Sequence, residues 1–241
     1  MAKGSGQSAG VVSAGFGKWR NTKSVSFDGI NDYSVGIINN HPCQGLTSWS
    51  KLTWSFVADL TSSTYQWRQI AIDTNTMRPG TQDFDIRDND NAVKTTNPKP
   101  TIETWIMDIQ DFEVDEKYLI YRNGNNLIGT SLLTLTGAMS NSGAKMFFGA
   151  ASAGSGWGEN KINEQYCYNR LLTGAEKDEL YNSGTPIDPQ AHGAASALIS
   201  YLRFGDGPDD TDSTMFDTIF IGNDFDHNNF SGSPYVADTP S

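Results

Sequence analysis

Residues 23–33 read Lys-Ser-Val-Ser-Phe-Asp-Gly-Ile-Asn-Asp-Tyr, and their pattern indicates β-structure. Polar and apolar side chains alternate over residues 24–27, which is the period of a half-buried β-strand. Asp28 and Gly29 then predict a tight turn, because an aspartate side chain can cap a turn and glycine tolerates positive φ. Apolar residues resume at Val35, so the segment predicts a strand, a tight return and a second strand.

The same alternation recurs outward from this segment and predicts an all-β chain of short strands. Further strands are expected at residues 52–58, 67–72, 105–109, 118–122, 127–129, 145–149, 161–170 and 197–204. Asn123 and Gly124 give the strongest hairpin signal, since both residue types accept the positive φ of a two-residue turn. The 24 glycines and the 11% aromatic content suit many strands joined by tight turns.

One short helix is predicted at residues 174–182. Thr173 and Glu176 have the spacing of a capping box, in which the threonine side chain accepts from the Glu176 amide and the glutamate reaches back. Gly184 can end the helix in the left-handed conformation, and Pro186 prevents its continuation.

The formal net charge of the chain is −11, and its distribution is uneven. Residues 1–23 contain four basic residues and no acidic one, whereas residues 203–241 contain eight aspartates and one arginine. An acidic surface repels a nucleic-acid backbone, so nucleic acid is not expected as a partner. The two ends are either solvated tails or arms that meet partner surfaces of opposite charge. In the second case Lys18, Trp19 and Arg20 are the candidate contacts.

Cys43 and Cys167 are too far apart in sequence to indicate a disulfide framework or a zinc pattern. They are interpreted as free thiols, with a single bridge between them as the alternative. The histidines at positions 41, 192 and 227 lie in polar, loop-like surroundings and are interpreted as exposed.

Three ordered segments resemble laminin-G-like, concanavalin-A-like domains. They are the opening strand and turn at residues 23–33, the strand–Asn-Gly–strand hairpin at residues 118–129, and the final strand with its short helix at residues 162–182. The resemblance implies an antiparallel jelly-roll β-sandwich over residues 24–185. It leaves an extended Gly/Ser-rich arm at residues 1–23 and a linker, an extra strand and an acidic tail at residues 186–241. Whether this last part forms a separate unit or wraps the sandwich stays open.

Residues 181–188 and 202–207 are similar to the tails of laminin-G-like proteins in tailed-phage particles. This resemblance implies a non-enzymatic virion structural protein, such as a head decoration, cement or fibre component. Its terminal arms would contact other virion proteins. Analogy with decoration and fibre proteins, which are often trimers, predicts a homo-oligomer. Residues 1–23 lack the apolar segment of a secretory signal, and no apolar run approaches a membrane span. Both features predict synthesis in a cytoplasm, followed by retention there or assembly into a particle. The resemblance implies the second case, a virion that is assembled in the host cytoplasm.

Catalysis has to be judged on particular residues, because this fold carries glucanases and lectins alike. Some concanavalin-A-like glucanases place a Glu-x-Asp-x-Glu pattern on one strand, so that alternate carboxylates enter the cleft. Glu113 and Asp115 begin this pattern, but Lys117 stands where the acid/base carboxylate is needed. The chain is therefore predicted not to be an enzyme, and a glycoside hydrolase is the weakest hypothesis.

A carbohydrate-binding module for attachment to a host surface is the alternative function. Its candidate residue is Trp157, which a glycine-rich loop would present to a sugar. The competing interpretation of Trp157 is a lid over the end of the sandwich. Other aromatic residues in or near predicted loops are Trp49, Tyr65 and Trp67.

Calcium is the one candidate cofactor. Laminin-G-like domains often hold one calcium ion, and the resemblance makes Asp28 and Asp32 candidate ligands, because calcium prefers carboxylate and carbonyl oxygens. The cluster of aspartates at positions 206, 209, 210 and 212 offers the same chemistry. Asp28 also has a structural alternative, since its side chain can cap the turn at Gly29.

Overall fold

A computed structural model describes residues 21–36, 42–43, 45–57, 71–72, 75–79, 83–87, 93–98, 104–113, 117–134, 147–150, 157–220, 222 and 224–240. Within these ranges the chain forms sixteen strands and one α-helix. No helix in this part of the chain is long and apolar enough to cross a membrane.

The strands are short, and most are four to ten residues long. They are β1 (Ser24–Asp28), β2 (Tyr33–Gly36), β3 (Ser48–Val57), β4 (Ala71–Ile72), β5 (Asn75–Pro79), β6 (Asp83–Arg87), β7 (Val93–Pro98), β8 (Trp105–Glu113), β9 (Lys117–Arg122), β10 (Asn126–Thr134), β11 (Phe147–Phe148), β12 (Glu159–Tyr168), β13 (Leu198–Leu202), β14 (Thr214–Met215), β15 (Phe225–Asn228) and β16 (Tyr235–Val236). The helix α1 spans Gly174–Tyr181, and single 3₁₀ turns lie at Asn182–Gly184 and Ala195–Ala197.

The strands assemble into antiparallel sheets. Eight strands form the large sheet in the order β10-β9-β8-β3-β12-β1-β16, with β13 also paired to β12. Four strands form a second sheet in the order β11-β2-β15-β14, and β4 to β7 form a third. The predicted all-β, antiparallel jelly-roll sandwich with one short helix is confirmed.

The large and second sheets pack against each other through one apolar cluster. β1 and β12 of the large sheet contribute Val25, Phe27 and Ile162, and the second sheet contributes Phe148 and Phe225. All five side chains are almost fully buried. Alternate residues of β1 face this cluster because successive side chains of a strand point to opposite faces.

The other face of the large sheet is covered by α1 and the loops around it. Leu52, Trp54 and Ile109 on the sheet pack in one cluster with Leu172 and Leu180. The helix begins as predicted: Thr173 Oγ1 accepts from the Glu176 amide, and the Glu176 carboxylate accepts from the Thr173 amide. Local hydrogen bonds therefore fix where the helix starts.

The hairpin between β9 and β10 forms at the predicted residues, but its loop is one residue longer than the predicted two-residue turn. Asn123 and Gly124 both have positive φ, at 53° and 90°. Because Arg122 pairs with Asn126, the loop contains the three residues 123–125. The Asn123 side chain accepts from the Met107 amide at 3.0 Å, and the Asn123 amide donates to the Met107 carbonyl at 2.8 Å. These two bonds fasten the hairpin to β8.

The residues after Pro186 contribute strands to both packed sheets. β13 pairs with β12, and β16 pairs with β1, so both lie in the large sheet. β15 pairs with β2 and with β14 in the second sheet. Asp238, three residues from the C-terminus, forms an ion pair with Lys161 of β12.

Candidate functional site

Three chain segments meet at one end of the sandwich. They are the turn from Asp28 to Tyr33, residue Trp157 just before β12, and the end of β15. Tyr33 is the register partner of Asn228, and the Asn229 side chain donates to the Asn31 carbonyl at 3.1 Å. The tight β1–β2 connection therefore holds its turn beside both other segments.

Tyr33 and Trp157 form the aromatic pair of this site. Their ring centroids lie 5.7 Å apart with an angle of 34° between the planes. Both residues are half-buried, so neither is fully closed off from solvent. Sequence patterns pointed to Trp157 but missed Tyr33, which the pairing of β2 with β15 positions.

Asp28 organises the turn beneath the pair. Its Oδ1 accepts from the amides of Ile30, Asn31 and Asp32 at 2.8, 3.1 and 3.4 Å. Burial alone would raise the pKa of Asp28, but these backbone donors hold it below its ordinary value. The capping role considered for Asp28 is therefore the one that its contacts show.

Asp32 is the second carboxyl group of the site, and it is 7% exposed. Burial and the neighbouring charge of Asp28 raise its pKa to about 6, although the Asp28 amide partly offsets this by donating to it. A carboxyl group in this state changes its protonation near neutral pH. It can therefore act as a hydrogen-bond acceptor or, when protonated, as a donor.

His227 supports the site from behind. Its Nδ1 lies 2.6 Å from Ser34 Oγ and its Nε2 lies 3.0 Å from the Tyr235 hydroxyl. Burial lowers the pKa of His227 to about 4, so the ring is neutral at physiological pH. Its ring also packs edge-on against Phe230, with centroids 5.4 Å apart.

The interpretation of the histidines as exposed is wrong where the structure describes them. His227 lies in β15 and is enclosed by strand neighbours, as its two hydrogen bonds show. The His192 side chain is 4% exposed and pairs with Glu179, while it also accepts from the Ala194 amide. Both ring nitrogens of each of these two histidines have hydrogen-bond partners within the protein. His41 lies outside the described residues.

The other aromatic candidates do not join the site. Trp49 lies in β3 rather than in a loop and is 1% exposed, with its ring stacked on Phe112 at 5.4 Å. The hydrophobic pairing of two sheet residues explains this burial. Tyr65 and Trp67 lie outside the described residues, as do the candidate partner contacts Lys18, Trp19 and Arg20.

The carboxylates considered for glucanase chemistry are not arranged on one strand. Glu113 is the last residue of β8 and is exposed. Lys117 opens the next strand, β9, while Asp115 lies outside the described residues. The described part of this segment therefore does not place alternate carboxylates in a cleft.

Asp28 and Asp32 are the predicted calcium ligands at this end of the sandwich. Calcium takes six to eight oxygen ligands, whereas one oxygen of Asp28 already accepts three amides. Among the described residues, no group of three or more acidic, histidine or cysteine side chains could hold a metal. Calcium binding by Asp28 and Asp32 stays a prediction.

Comparisons with known proteins show which fold the chain has but do not assign it to a family. No protein-family model matches the chain, and no curated protein matches it in sequence. The chain superposes on a Bacteroides ovatus protein, provisionally described as carbohydrate-binding, with a TM-score of 0.65 at 16% identity. The match covers 92% of this chain and 62% of the other, so this chain spans about three fifths of that protein's length.

Two further solved structures are more distant. A heptameric SAP-like pentraxin from Limulus polyphemus matches with a TM-score of 0.46 at 13% identity, over 67% of this chain and 82% of that one. The binding domain of botulinum neurotoxin DC, solved in complex with SialylT, matches with a TM-score of 0.49 at 12% identity, over 66% and 41%. At these identities a likeness describes fold alone. This chain thus shares its fold with the Bacteroides protein.

Proposed function

We propose that the protein is a carbohydrate-binding module that holds a neutral sugar against Tyr33 and Trp157. The observation that carries the proposal is the pairing of these two half-buried aromatic residues, with ring centroids 5.7 Å apart, at the turn that Asp28 caps. Ligand sites commonly combine apolar and aromatic walls with a few polar groups that fix orientation.

The two parts of the site fit the two parts of a sugar. One face of a pyranose ring carries C–H groups, which pack on the negatively polarised face of an aromatic ring. The hydroxyl groups at the ring edge need hydrogen-bond partners, and the Asp32 carboxyl group lies next to Tyr33 in the chain. Asp28 and His227 hold the turn and the supporting strand in place before any ligand arrives.

The charge around the rings favours a neutral glycan. Asp28 and Glu159 are register partners across β1 and β12, and Asp32 adds a third carboxyl group to the same end. The whole chain has a formal charge of −11. Sialylated or sulfated sugars would meet repulsion at such a surface.

The fold comparison supports a binding module over a virion component. The Bacteroides ovatus protein, provisionally described as carbohydrate-binding, has a similar fold. The virion hypothesis rests on the terminal arms, and its named contacts Lys18, Trp19 and Arg20 lie outside the described residues. Attachment to a host glycan is compatible with either setting, so the virion role stays a prediction.

A glycan array tests the proposal. The wild-type protein should bind at least one neutral glycan, and Trp157→Ala should lose that signal. Leu127→Ala is the matched control, because Leu127 is 53% exposed and lies on β10, at the opposite edge of the large sheet from β1. Circular dichroism of each variant separates lost binding from lost folding. Binding to no glycan, or equal binding by folded Trp157→Ala, would refute the proposal.

A further inference from the structure

The two cysteines meet in the core although they are 124 positions apart in sequence, since 167 − 43 = 124. Cys167 lies in β12, in the middle of the large sheet. Cys43 lies in the turn that leads to β3, where its carbonyl accepts from the Leu46 amide at 3.2 Å. Both side chains are fully buried, and the two thiols are in hydrogen-bonding contact.

The surroundings of the pair are apolar on most sides. Trp49, Phe112 and Ile120 share the buried cluster with the two thiols. Lys51 is the register partner of Cys167 on β3, and its ammonium group acts electrostatically on both sulfurs. Burial raises the pKa of the Cys43 thiol well above its ordinary value, although the charge of Lys51 opposes that rise.

We propose that Cys43 and Cys167 close a disulfide when the chain folds in the presence of a low-molecular-weight disulfide such as oxidised glutathione. The bond would tie the turn before β3 to the central strand β12. This inference is independent of the proposed sugar site, because neither cysteine contacts it.

The chemistry is two successive thiol–disulfide exchanges. One cysteine thiolate attacks the small disulfide, forms a mixed disulfide with one half of it and expels the other half as a thiolate. The second cysteine thiolate then attacks the mixed disulfide at the protein sulfur and expels the second half. The two cysteine protons end on the two expelled thiolates, so the protein loses two electrons and the small disulfide gains them.

Burial decides when this exchange happens. Both thiols are closed to solvent in the folded chain, and a buried thiol in apolar surroundings is a poor nucleophile. Exchange is therefore slow in the native protein and fast while the chain folds. Once formed, the bond closes a long loop, which removes conformations from the unfolded chain and stabilises the folded one.

The test uses the full-length protein, unfolded with reductant and refolded at fixed ratios of reduced to oxidised glutathione. Free thiols are then alkylated under denaturing conditions and counted by intact mass. At oxidising ratios we expect no alkylated thiol and a mass about 2 Da below that of the reduced chain. Protein kept with reductant should take up two labels. The oxidised form should also unfold at a temperature several degrees above that of the reduced form.

Cys43→Ala and Cys167→Ala are the matched variants, since alanine leaves a small apolar side chain in the cluster. Each variant should retain one buried thiol that is alkylated after denaturation at every ratio, and it should lose the difference in unfolding temperature between redox states. Two alkylated thiols in the wild-type protein at every ratio would overturn the proposal. A wild-type protein with one glutathione on each cysteine would overturn it as well, because the sulfurs would then not reach each other.

Discussion

The ammonium group of Lys177 in α1 lies 2.6 Å from the carboxylate of Asp111 in β8, and both side chains are buried. Ser50 Oγ donates to the other carboxylate oxygen at 2.5 Å and accepts from the Leu172 amide at 2.9 Å. The ring of Tyr121 lies 3.6 Å from the same ammonium group. A buried network of charge and hydrogen bonds thus fastens the helix to the large sheet.

Lys177→Met should destabilise the protein strongly. The variant leaves the Asp111 carboxylate buried without its cation, which typically costs about 3–5 kcal/mol. The double variant Lys177→Met with Asp111→Leu removes both charges and should recover most of that loss. Urea unfolding measures the free energy of each variant. Asp111→Leu alone is the third variant. If the double variant loses as much free energy of unfolding as Lys177→Met and Asp111→Leu lose in sum, the two residues do not stabilise each other as an ion pair.

Glu176→Gln should weaken the start of α1 in a pH-dependent way. Arg170 donates two bonds to the Glu176 carboxylate, at 2.9 and 2.6 Å, and holds its pKa at about 2. Because this pKa is lower in the folded chain than in the unfolded chain, the stabilisation is present above pH 4.5 and is lost as the pH falls through about 2.

The expected loss for Glu176→Gln is about 1 kcal/mol in the free energy of unfolding at pH 7. The difference from wild type should shrink as the pH approaches about 2. Asp209→Asn is the control, since it removes an exposed charge away from the helix. Urea midpoints measured over this pH range check the prediction, and a difference that does not depend on pH would refute it.

Gly149→Ala should be poorly tolerated. Gly149 has a φ of +76°, and a Cβ at this position would overlap the buried ring of Phe27. Overpacking of this kind costs about 1–3 kcal/mol. Gly193→Ala is the matched control, because a Cβ there meets no heavy atom within 4 Å. The unfolding temperature of Gly149→Ala should be clearly lower than that of Gly193→Ala. Equal unfolding temperatures would show that the backbone at Gly149 or the ring of Phe27 moves to accommodate the added Cβ.

Local signals in the sequence predicted the local structure well. The alternation before Asp28 and the Thr173–Glu176 capping box form as expected, and a hairpin forms at Asn123-Gly124 with a three-residue loop. In each case the residues that make the deciding contacts lie within a few positions of one another. Hydrogen bonds over so short a span are encoded by residue type and spacing alone.

The site itself depends on contacts that no local pattern encodes. Tyr33 and Trp157 are 124 positions apart, since 157 − 33 = 124, and meet because β2 pairs with β15 while β1 pairs with β12. His227 looked like a loop residue, and only the pairing of its strand with β2 buries it. Trp49 likewise lies in the core because the strand that contains it, β3, pairs with β12 on one side and with β8 on the other.

Asp32→Asn should change how stability depends on pH. Burial and Asp28 raise the folded-state pKa of Asp32 to about 6, above its ordinary 3.8. The stabilisation by the bound proton is therefore complete below pH 3.8 and is lost as the pH rises through about 6. The asparagine variant carries no charge, so relative to wild type it should gain about 1–3 kcal/mol between pH 4 and pH 8.

Two measurements check the Asp32 prediction. Urea unfolding of wild type and Asp32→Asn over this pH range gives the stability difference. A ¹³C titration of the Asp32 carboxyl carbon gives its pKa, which should lie near 6. A midpoint near 3.8 would show that the carboxyl group is solvated and that the turn is more open than described.

The proposed sugar site is tested at atomic level by the indole N–H signal of Trp157 in a ¹H–¹⁵N spectrum, assigned by its loss in Trp157→Phe. The titrants are neutral methyl glycosides of glucose, galactose, mannose and N-acetylglucosamine, followed by the glycans bound on the array. The Trp54 indole is the internal reference, since it is fully buried and stacked on Tyr181. We predict a saturable shift of the Trp157 signal with a stationary Trp54 signal. A Trp157 signal that stays in place with every glycan would contradict sugar binding at this site.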